Sequence, residues 1–379
     1  YKEDFDKEYF FEMKPAFCEK CQMFQLVDQP EPNLMFNNKY PFFSSLSEYM
    51  KMHFNNFANS ILDTYLIKKQ DPFVIELGSN DGIMLQHFKN RSIRHLGIEP
   101  SSNVAEVAIK KGINTTSKFF NFELANEIIE EYGKADVIMA ANVICHIPDL
   151  NNVFKGFEKL LTNDGLIIFE DPYLGDMLSK TSYDQIYDEH VYIFSASSVK
   201  YISEKFNLEL VNVENQITHG GSMRYYIAKK GSHKVSKSVT ELIEYEKLNQ
   251  FDKLLTYIQF KNKCEKSKND LKNLLLKLKK ENKNIVGYGA TSKSTTILNY
   301  CNINSELIDY ISDTTPEKQN KFSPGSHIPI YPYEKFRENF PDYAVLFAWN
   351  HAKEIFDKEK EFRNSGRKWI KHVPQVEVF

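Results

Sequence analysis

A short run near the middle of the chain is the part of the sequence richest in reactive side chains. Tyr187, Glu189 and His190 lie there close together, shortly before Ser195, a residue type that caps helices. A histidine with a pKa near neutrality can remove a proton, a nearby carboxylate can raise its basicity, and a tyrosine hydroxyl can donate to a developing enolate oxygen. The run therefore predicts proton abstraction from a carbon beside a carbonyl group.

Two other segments could complete such a site. His146 follows a predicted strand, at the carboxyl edge where open sheets bind ligands, and is a second candidate base or substrate ligand. A glycine-rich loop downstream carries another imidazole, and we interpret three of its residues as substrate-binding: His219, Gly220 and Ser222. Because a lone histidine is more often structural than catalytic, it is the clustering of these residues that favours catalysis.

A loop of glycine and acidic residues follows the first predicted strand and opens a helix, as nucleotide-binding turns do. It reads Glu76-Leu-Gly-Ser-Asn-Asp-Gly82, so it lacks two of the three glycines of a dinucleotide-binding loop, and its carboxylates would repel a pyrophosphate. They suit a ligand that carries an ammonium and a sulfonium group and no phosphate, as S-adenosylmethionine does. Glu99, 21 residues after Gly78, is placed to accept the ribose hydroxyls.

These features predict a pocket for S-adenosylmethionine. Its expected residues are Glu76, Gly78, Asn80, Asp81, Glu99 and Asn142. A glycine turn with a charged helix start is the alternative interpretation of the same loop.

A second glycine loop, Gly287-x-Gly289-x-x-Ser292-Lys293, also joins a predicted strand to a helix but carries no carboxylate. Its backbone N–H groups, the helix dipole and the Lys293 ammonium form an anion site that suits a phosphate. We expect Thr291, Ser292 and Lys293 to bind the diphosphate of a substrate. The alternative is a second cofactor-type fold that has lost its ligand.

The only cysteines at a metal-binding spacing are Cys18 and Cys21. This C-x-x-C pair would supply half of a tetrahedral zinc site, but no second pair or nearby histidine follows it. Because the sequence begins without methionine, we expect that another pair preceded it in a longer chain. Two cytosolic thiols on a turn are the alternative interpretation.

The elements that must position these residues alternate between short β-branched runs and amphipathic stretches, which predicts an α/β fold with open, mostly parallel sheets and helices on both faces. The predicted strands are Phe73–Leu77, His95–Glu99, Asp136–Ala141, Leu166–Glu170, Leu208–Val213, Met223–Ala228, Ile285–Gly289, Leu307–Ile311 and Tyr343–Ala348. We divide the chain into an irregular arm (1–50), a cofactor-binding sheet domain (51–233), one long linking helix (234–284) and a second sheet domain (285–379).

Composition excludes several classes of protein. The chain has 379 residues, of which 48 are basic and 51 acidic, so its net charge of −3 provides no field for wrapping nucleic acid or an anionic membrane. No uncharged apolar run approaches the roughly 20 residues that span a bilayer. No signal peptide is visible at Tyr1–Tyr9, so we expect a soluble cytoplasmic protein, a monomer or a weak oligomer, that binds neither nucleic acid nor membrane.

Together the motifs identify a family. The chain resembles the S-adenosylmethionine-dependent deoxysugar C-methyltransferases, which methylate C-3 of nucleotide-linked 4-keto sugars. The motifs that carry the resemblance are Cys18-Glu-Lys-Cys21, Tyr40-Pro-Phe-Phe-Ser-Ser45, Glu76–Gly82, His146-Ile-Pro-Asp149, Glu189-His190, His219-Gly-Gly-Ser222 and Gly287-Tyr-Gly-Ala-Thr-Ser-Lys293. It implies a zinc-bound N-terminal lobe, a class I methyltransferase Rossmann-like domain, and a C-terminal Rossmann-like lobe that helps to hold a nucleotide-diphosphate keto sugar.

The resemblance also implies roles for individual residues. His190 would remove the proton beside the ketone, Glu189 would orient or charge-tune its imidazole, and Tyr187 with Tyr40 would steady the enolate or position the sugar. S-adenosylmethionine is the implied cofactor, and the cysteine pair looks like the second of two zinc knuckles. Where the family usually has a histidine, this chain has Asp188, so that histidine is dispensable here or the substrate differs.

Three other functions stay open at this point. A nucleotide-sugar oxidoreductase or epimerase would use the C-terminal glycine loop for a nicotinamide cofactor. An O- or N-methyltransferase of a related sugar would need no acidic C–H bond. A non-catalytic sugar-nucleotide binding protein would keep both clefts without turnover.

Overall fold

The computed structural model describes residues 2–379, with the side chain of Leu46 excepted. Residues 2–47 form an arm with more regular structure than the sequence predicts. It contains the strands β1 (Pro15–Phe17) and β2 (Phe24–Leu26), the single-turn helix α1 (Pro32–Met35), and 3-10 turns at Lys2–Lys7 and Ser44–Leu46. Phe24 and Leu26 are buried on one side of β2, but three residues are too few for the alternation to stand out in the sequence.

The helix α2 (Glu48–Ile61) begins where the periodicity predicts and continues as a π-helical turn over Leu62–Leu66. Ser47 caps it by accepting a hydrogen bond from the N–H of Met50. Its apolar face, including Phe54 and Phe57, packs against one side of the central sheet.

The central unit alternates strands and helices as expected, and every predicted strand in it is present within five residues of its expected bounds. Its elements are β3 (Phe73–Leu77), α3 (Leu85–Lys89), β4 (Arg94–Ile98), α4 (Ser102–Lys110), β5 (Thr115–Thr116), α5 (Phe122–Tyr132), β6 (Ala135–Ala141), α6 (Leu150–Leu160), β7 (Leu161–Pro172), α7 (Leu174–Lys180), β8 (Tyr192–Ile193), α8 (Ala196–Lys205), β9 (Leu208–Gln216) and β10 (Ser222–Lys229).

Seven of these strands form one twisted sheet in the order β5-β4-β3-β6-β7-β10-β9. β10 runs antiparallel to both of its neighbours, whereas the other pairs are parallel. This is the Rossmann-like arrangement that the sequence resemblance implies. Because β3, β4, β6 and β7 are parallel, the loops after them meet at one edge, which is where the candidate residues lie.

The strand β8 departs from this sheet. It pairs antiparallel with β2, with Phe24 opposite Ile193, to form the three-stranded sheet β1-β2-β8. The arm is thereby joined to the segment that immediately follows His190.

The linker is two helices rather than the single one predicted. α9 (Lys237–Leu248) ends, and α10 (Leu254–Lys280) begins, on either side of a short turn. Gln250 in that turn has a left-handed backbone with φ of 58°, which interrupts the helical hydrogen bonds. The apolar periodicity continues on both sides of the break, so the sequence pattern alone does not reveal it.

The C-terminal unit is a second Rossmann-like α/β sheet. Its elements are β11 (Ile285–Tyr288), α11 (Ser292–Tyr300), β12 (Ile311–Asp313), β13 (Ile330–Pro332), α12 (Tyr333–Glu338), β14 (Tyr343–Leu346), α13 (Ala352–Lys358), α14 (Lys360–Asn364), β15 (Lys368–Lys371) and β16 (Glu377–Val378). The order is β13-β12-β11-β14-β15-β16, with β16 antiparallel. The strand predicted at Leu307–Ile311 starts only at Ile311. None of the described helices is long and apolar enough to cross a bilayer.

Candidate active site

His190 lies in the loop before β8, only 3% exposed, with both ring nitrogens engaged. Nδ1 is 2.8 Å from the carbonyl oxygen of Gln185, and Nε2 is 2.7 Å from the hydroxyl of Tyr187. A carbonyl can only accept, so Nδ1 carries the proton and Nε2 accepts from the Tyr187 hydroxyl. Burial and the neighbouring His146 lower the pKa of His190 well below its ordinary value, so the ring is neutral with its lone pair on Nε2. This is the tautomer that a general base requires.

His146 lies beside His190, in a 3-10 turn after β6. The centroids of the two rings are 5.3 Å apart and the rings are nearly parallel. Burial lowers the pKa of His146 to about 4, and its Nε2 is buried without a hydrogen-bond partner among the described residues. A buried acceptor or donor without a partner is rare, so this nitrogen is suited to bind a substrate hydroxyl.

Two tyrosines complete this cluster. Burial, together with the carboxylates of Glu189 and Glu99, raises the pKa of Tyr40 well above its usual range. Burial and the Glu189 carboxylate do the same to the pKa of Tyr187. Both phenols therefore keep their protons and can donate hydrogen bonds, and Tyr40 lies between the base cluster and the cofactor loop.

The expectation that Glu189 orients or charge-tunes the imidazole stays a prediction. In the described structure Glu189 makes no hydrogen bond with His190, and the orienting partner is the backbone carbonyl of Gln185. Burial and the adjacent Asp188 raise the pKa of Glu189 to about 7, so its carboxyl group is partly protonated near neutral pH. The sequence analysis missed Gln185, because a backbone carbonyl leaves no signal in a residue pattern.

The acidic glycine loop packs tightly against neighbouring residues. Gly78 has φ of 61°, and a Cβ added there would lie 2.2 Å from Cγ2 of Val143. Asn80 also has a left-handed backbone, and its side chain holds the arm by accepting from the N–H of Ser44 at 2.8 Å and donating to the carbonyl of Phe42 at 3.1 Å. The arm therefore lies directly across this loop.

The acidic groups of this pocket fit a cationic ligand with hydrogen-bond donors. Glu76 is 2% exposed, and neither its Oε2 nor Oδ1 of Asn142 has a hydrogen-bond partner within residues 2–379 as described. Burial and the carboxylates of Glu99 and Asp81 raise the pKa of Glu76 well above its ordinary value. A cationic ligand would relieve the repulsion, and its ammonium group would also supply the missing hydrogen bonds; S-adenosylmethionine carries such an ammonium together with a positively charged sulfonium.

The other two carboxylates already have partners. Glu99 accepts from the backbone N–H of Asn80 at 3.0 Å and of Ser101 at 2.8 Å, with lone pairs left for ribose hydroxyls. Asp81 is paired with the Lys111 ammonium at 3.1 Å and bonded by Ser45. Its charge is thus largely neutralised within the protein, which the sequence analysis did not foresee.

The second glycine loop does not present a free cation. Thr291 accepts from the N–H of Ser294 as a helix cap, and Lys293 is 8% exposed with its Nζ donating to the His219 carbonyl at 2.9 Å. The structure thus brings Lys293 and His219 together, and their binding of substrate stays a prediction. Burial and the Lys293 charge lower the pKa of His219 to about 3. Ser292 stays exposed at the loop surface.

Two residues of the His219 loop have mainly packing contacts. A Cβ added at Gly220 would lie 2.3 Å from the Trp349 ring, so the glycine permits this close approach. Ser222 is fully buried and donates to the carbonyl of Thr218 at 3.1 Å. Gly220 is partly exposed, so the predicted binding of substrate by these two residues stays a prediction.

A buried ion cluster that the sequence analysis did not find supports this edge of the sheet. Glu170 at the end of β7 is fully buried and accepts from Arg224 at 2.9 Å and from Thr218 at 2.7 Å, with His53 at 2.9 Å. Burial alone would raise the pKa of Glu170, but these partners lower it to about 2. The partners come from separate elements, so no local motif marks them.

The residues described do not fit zinc at the cysteine pair. Cys18 and Cys21 are free thiols, and among residues 2–379 no third ligand joins them. The described chain has one group of three potential ligands close together, namely Cys145, His146 and His190, but both nitrogens of His190 already have partners.

Comparisons with known proteins match both units of the chain to methyltransferase families. Residues 50–213 match a methyltransferase domain family, and residues 217–374 match the C-methyltransferase C-terminal domain family. The C-methyltransferase NovU of Streptomyces niveus is 32% identical over 378 residues, which cover 100% of this chain and 90% of that protein.

The chain belongs to the C-methyltransferase family. It is therefore an enzyme, and its class I sheet makes it an S-adenosylmethionine-dependent methyltransferase. Solved structures similar to this C-methyltransferase include the magnesium protoporphyrin IX methyltransferase of Synechocystis PCC 6803, 12% identical with a TM-score of 0.36 over 48% of this chain and 82% of that one. A methyltransferase of Anabaena variabilis is 16% identical with a TM-score of 0.35 over 48% and 93%.

The cofactor loop of this C-methyltransferase yields a first prediction. Gly78→Ala should weaken S-adenosylmethionine binding at least tenfold in calorimetric titration, because the added methyl group meets Val143 and the positive φ is strained for alanine. Gly231→Ala is the matched control, since Gly231 has φ of 76° with no heavy atom within 4 Å of the added Cβ. Wild-type affinity in Gly78→Ala would show that this loop does not hold the cofactor.

Proposed function

We propose that this C-methyltransferase methylates the carbon next to the ketone, at C-3, of a nucleotide-diphosphate 4-keto-deoxysugar. The observation that carries the proposal is the neutral His190, whose Nε2 lone pair faces a phenol at the edge of the acidic cofactor pocket. A base and a hydroxyl donor side by side are the two groups that enolate formation needs.

The ketone makes its neighbouring C–H bond acidic, and His190 removes that proton through Nε2. The electron pair of the C–H bond passes into the enolate, whose oxygen accepts hydrogen bonds from Tyr187 and Tyr40. In the present structure the Tyr187 hydroxyl donates to Nε2 itself. A substrate oxygen that competes for this donor would free the lone pair, so the base becomes available as the ketone is bound.

Four residues are proposed to hold the cofactor: Glu76, Gly78, Glu99 and Asn142. When bound, S-adenosylmethionine supplies an electrophilic methyl group. The Glu76 carboxylate and the Asn142 carbonyl offer acceptors that no group in the described part of the chain bonds, and Glu99 offers its remaining lone pairs. Phe36 stacks on His146 at a centroid distance of 5.7 Å, so the arm excludes water from the reacting groups.

The sugar's diphosphate is proposed to lie near Lys293, His219 and Ser292, between the central and C-terminal units. Burial lowers the pKa of Lys293, and the negative charge of a diphosphate would stabilise the charged form of this lysine. The C-methyltransferase family forms carbon–methyl bonds. Membership of this family therefore argues against the oxidoreductase, the O- or N-methyltransferase and the non-catalytic alternatives.

Product analysis tests the proposal. The wild-type enzyme is incubated with methyl-labelled S-adenosylmethionine and a panel of keto-sugar nucleotides in heavy water, and the products are analysed by mass spectrometry. We expect a single methyl group on carbon and solvent deuterium exchange at C-3 of the 4-keto compounds. A label on oxygen or nitrogen, or methylation of sugars that have no ketone, would contradict the proposal.

A further inference from the structure

The segment that orients His190 is held by the C-terminal unit rather than by its own sheet. Asp184 belongs to the 3-10 turn Tyr183–Gln185 and is fully buried. Its Oδ2 accepts from the indole N–H of Trp349 at 2.6 Å, and Nε2 of His372 lies 3.6 Å away. Both partners come from the C-terminal unit, so this carboxylate connects the central unit to the C-terminal unit.

The groups around Asp184 favour its ionised form, although its Oδ1 has no hydrogen-bond partner among the described residues. Burial would raise its pKa, but the neighbouring His372, Lys293 and Trp349 keep the pKa of Asp184 below its ordinary value. A buried, ionised carboxylate with partners in another unit is costly to separate from them. The contact therefore resists separation of the units at this point.

The same turn carries the hydrogen bond that fixes the base. Gln185, the next residue, offers its carbonyl to Nδ1–H of His190 and donates its side-chain amide to the His219 carbonyl. Thr296 of the C-terminal unit donates to the carbonyl of Ile186 at 3.2 Å, and Lys293 donates to the same His219 carbonyl. The side chain of Asp184 and the carbonyl of Ile186, which belong to the residues on either side of Gln185, are thus bonded from across the interface.

We propose that Asp184 is a positioning residue for methyl transfer, which ties the Gln185 carbonyl to the C-terminal unit and so keeps the proton of His190 on Nδ1. This rests on the proposed function, in which Nε2 of His190 is the base. The C-terminal unit then has a role beyond holding the sugar nucleotide. Its docking also sets the tautomer of His190, a residue that it does not contact with catalytic groups of its own.

The test uses Asp184→Ala and Trp349→Phe in the full chain. Asp184→Ala should lower kcat by about 10²-fold through misplacement of the base, and Trp349→Phe should lower it by a smaller factor in the same direction. The dissociation constant for S-adenosylmethionine should not change. In ¹⁵N-histidine NMR spectra, His190 should show a single Nδ1–H tautomer in the wild type and exchange between tautomers in both variants.

Glu359→Gln is the control, because Glu359 is another fully buried carboxylate but is bonded by Tyr288 at 2.9 Å within the C-terminal unit. It should lower the melting temperature without changing kcat or the His190 tautomer. If Asp184→Ala does not fold, the kcat and the His190 tautomer of Trp349→Phe alone test the proposal. Folded variants with the wild-type tautomer and kcat would overturn the positioning role. A wild-type enzyme that methylates no keto sugar, while the variants still change the tautomer, would instead refute the proposed function.

Discussion

Replacement of His190 by asparagine is expected to lower kcat for methyl transfer by about 10²–10⁴-fold, the usual contribution of a general base. An amide nitrogen cannot accept a proton, whereas asparagine retains a side-chain group that hydrogen-bonds, so binding should be affected less than catalysis. The same variant should lose solvent deuterium exchange at the carbon beside the ketone. Both rates are measured with the preferred keto-sugar nucleotide of the wild-type enzyme.

Two further variants make this result specific. His146→Asn tests the second candidate base, and a smaller decrease is expected because its free nitrogen is suited to bind the sugar. His95→Asn is the control, since His95 lies in the first half of β4, at the sheet edge opposite the candidate site. If neither His190→Asn nor His146→Asn slows transfer or exchange, the assignment of the base to this cluster is wrong.

The second large effect concerns stability. Glu170→Gln is expected to lower the free energy of unfolding by about 3 kcal/mol at pH 7, measured by urea unfolding. The wild-type pKa of about 2, against an ordinary value of 4.5, reflects the stabilisation of the ionised carboxylate by its partners. The amide loses this charge and leaves the guanidinium of Arg224 buried beside a neutral group.

The pH dependence follows from the direction of this shift. Because the folded-state pKa of Glu170 is lowered, its contribution is complete above about pH 4.5 and is lost as the pH falls towards 2. The difference in unfolding free energy between wild type and Glu170→Gln should therefore shrink across this interval. A difference that stays constant would show that the charge of Glu170 is not its cause.

Glu214 provides the matched control for Glu170. It faces the same Arg224 at 3.8 Å, but its side chain is 45% exposed. Solvent weakens such pairs, so Glu214→Gln should cost less than about 1 kcal/mol. Equal costs for the two substitutions would contradict the importance of burial.

The strands of the central sheet could be predicted because they are buried on both faces. In β3, Ile75 and Leu77 pack into one apolar cluster and Val74 into another, so the strand is a continuous apolar run that sequence reveals directly. The two-residue strands β5 and β8 give no comparable pattern. The break between α9 and α10 was missed for a related reason, since apolar residues recur on both of its sides.

The residue types at the candidate site were also predictable, but their partners were not. The acidic loop and the Tyr187–His190 run stand out locally, whereas Asp81 is neutralised by Lys111, 30 residues away. The motif around Lys293 predicts a free phosphate ligand, yet its ammonium is bonded to a carbonyl 74 residues earlier. Long-range contacts of this kind depend on how the units pack, which a motif does not encode.

The pairing of β2 with β8 has a consequence for how this enzyme can be divided or recombined. Glu8 of the arm contacts His327 at 2.8 Å in the C-terminal unit, while β2 pairs with Ile193, three residues after His190. A shortened protein that kept only the class I sheet would retain the methyl-donor loop but lose the strand on which the base segment is aligned. If that sheet alone were exchanged between relatives, the cofactor loop would be transferred without the strand that aligns the base. A chimaera that keeps the activity must therefore include the arm.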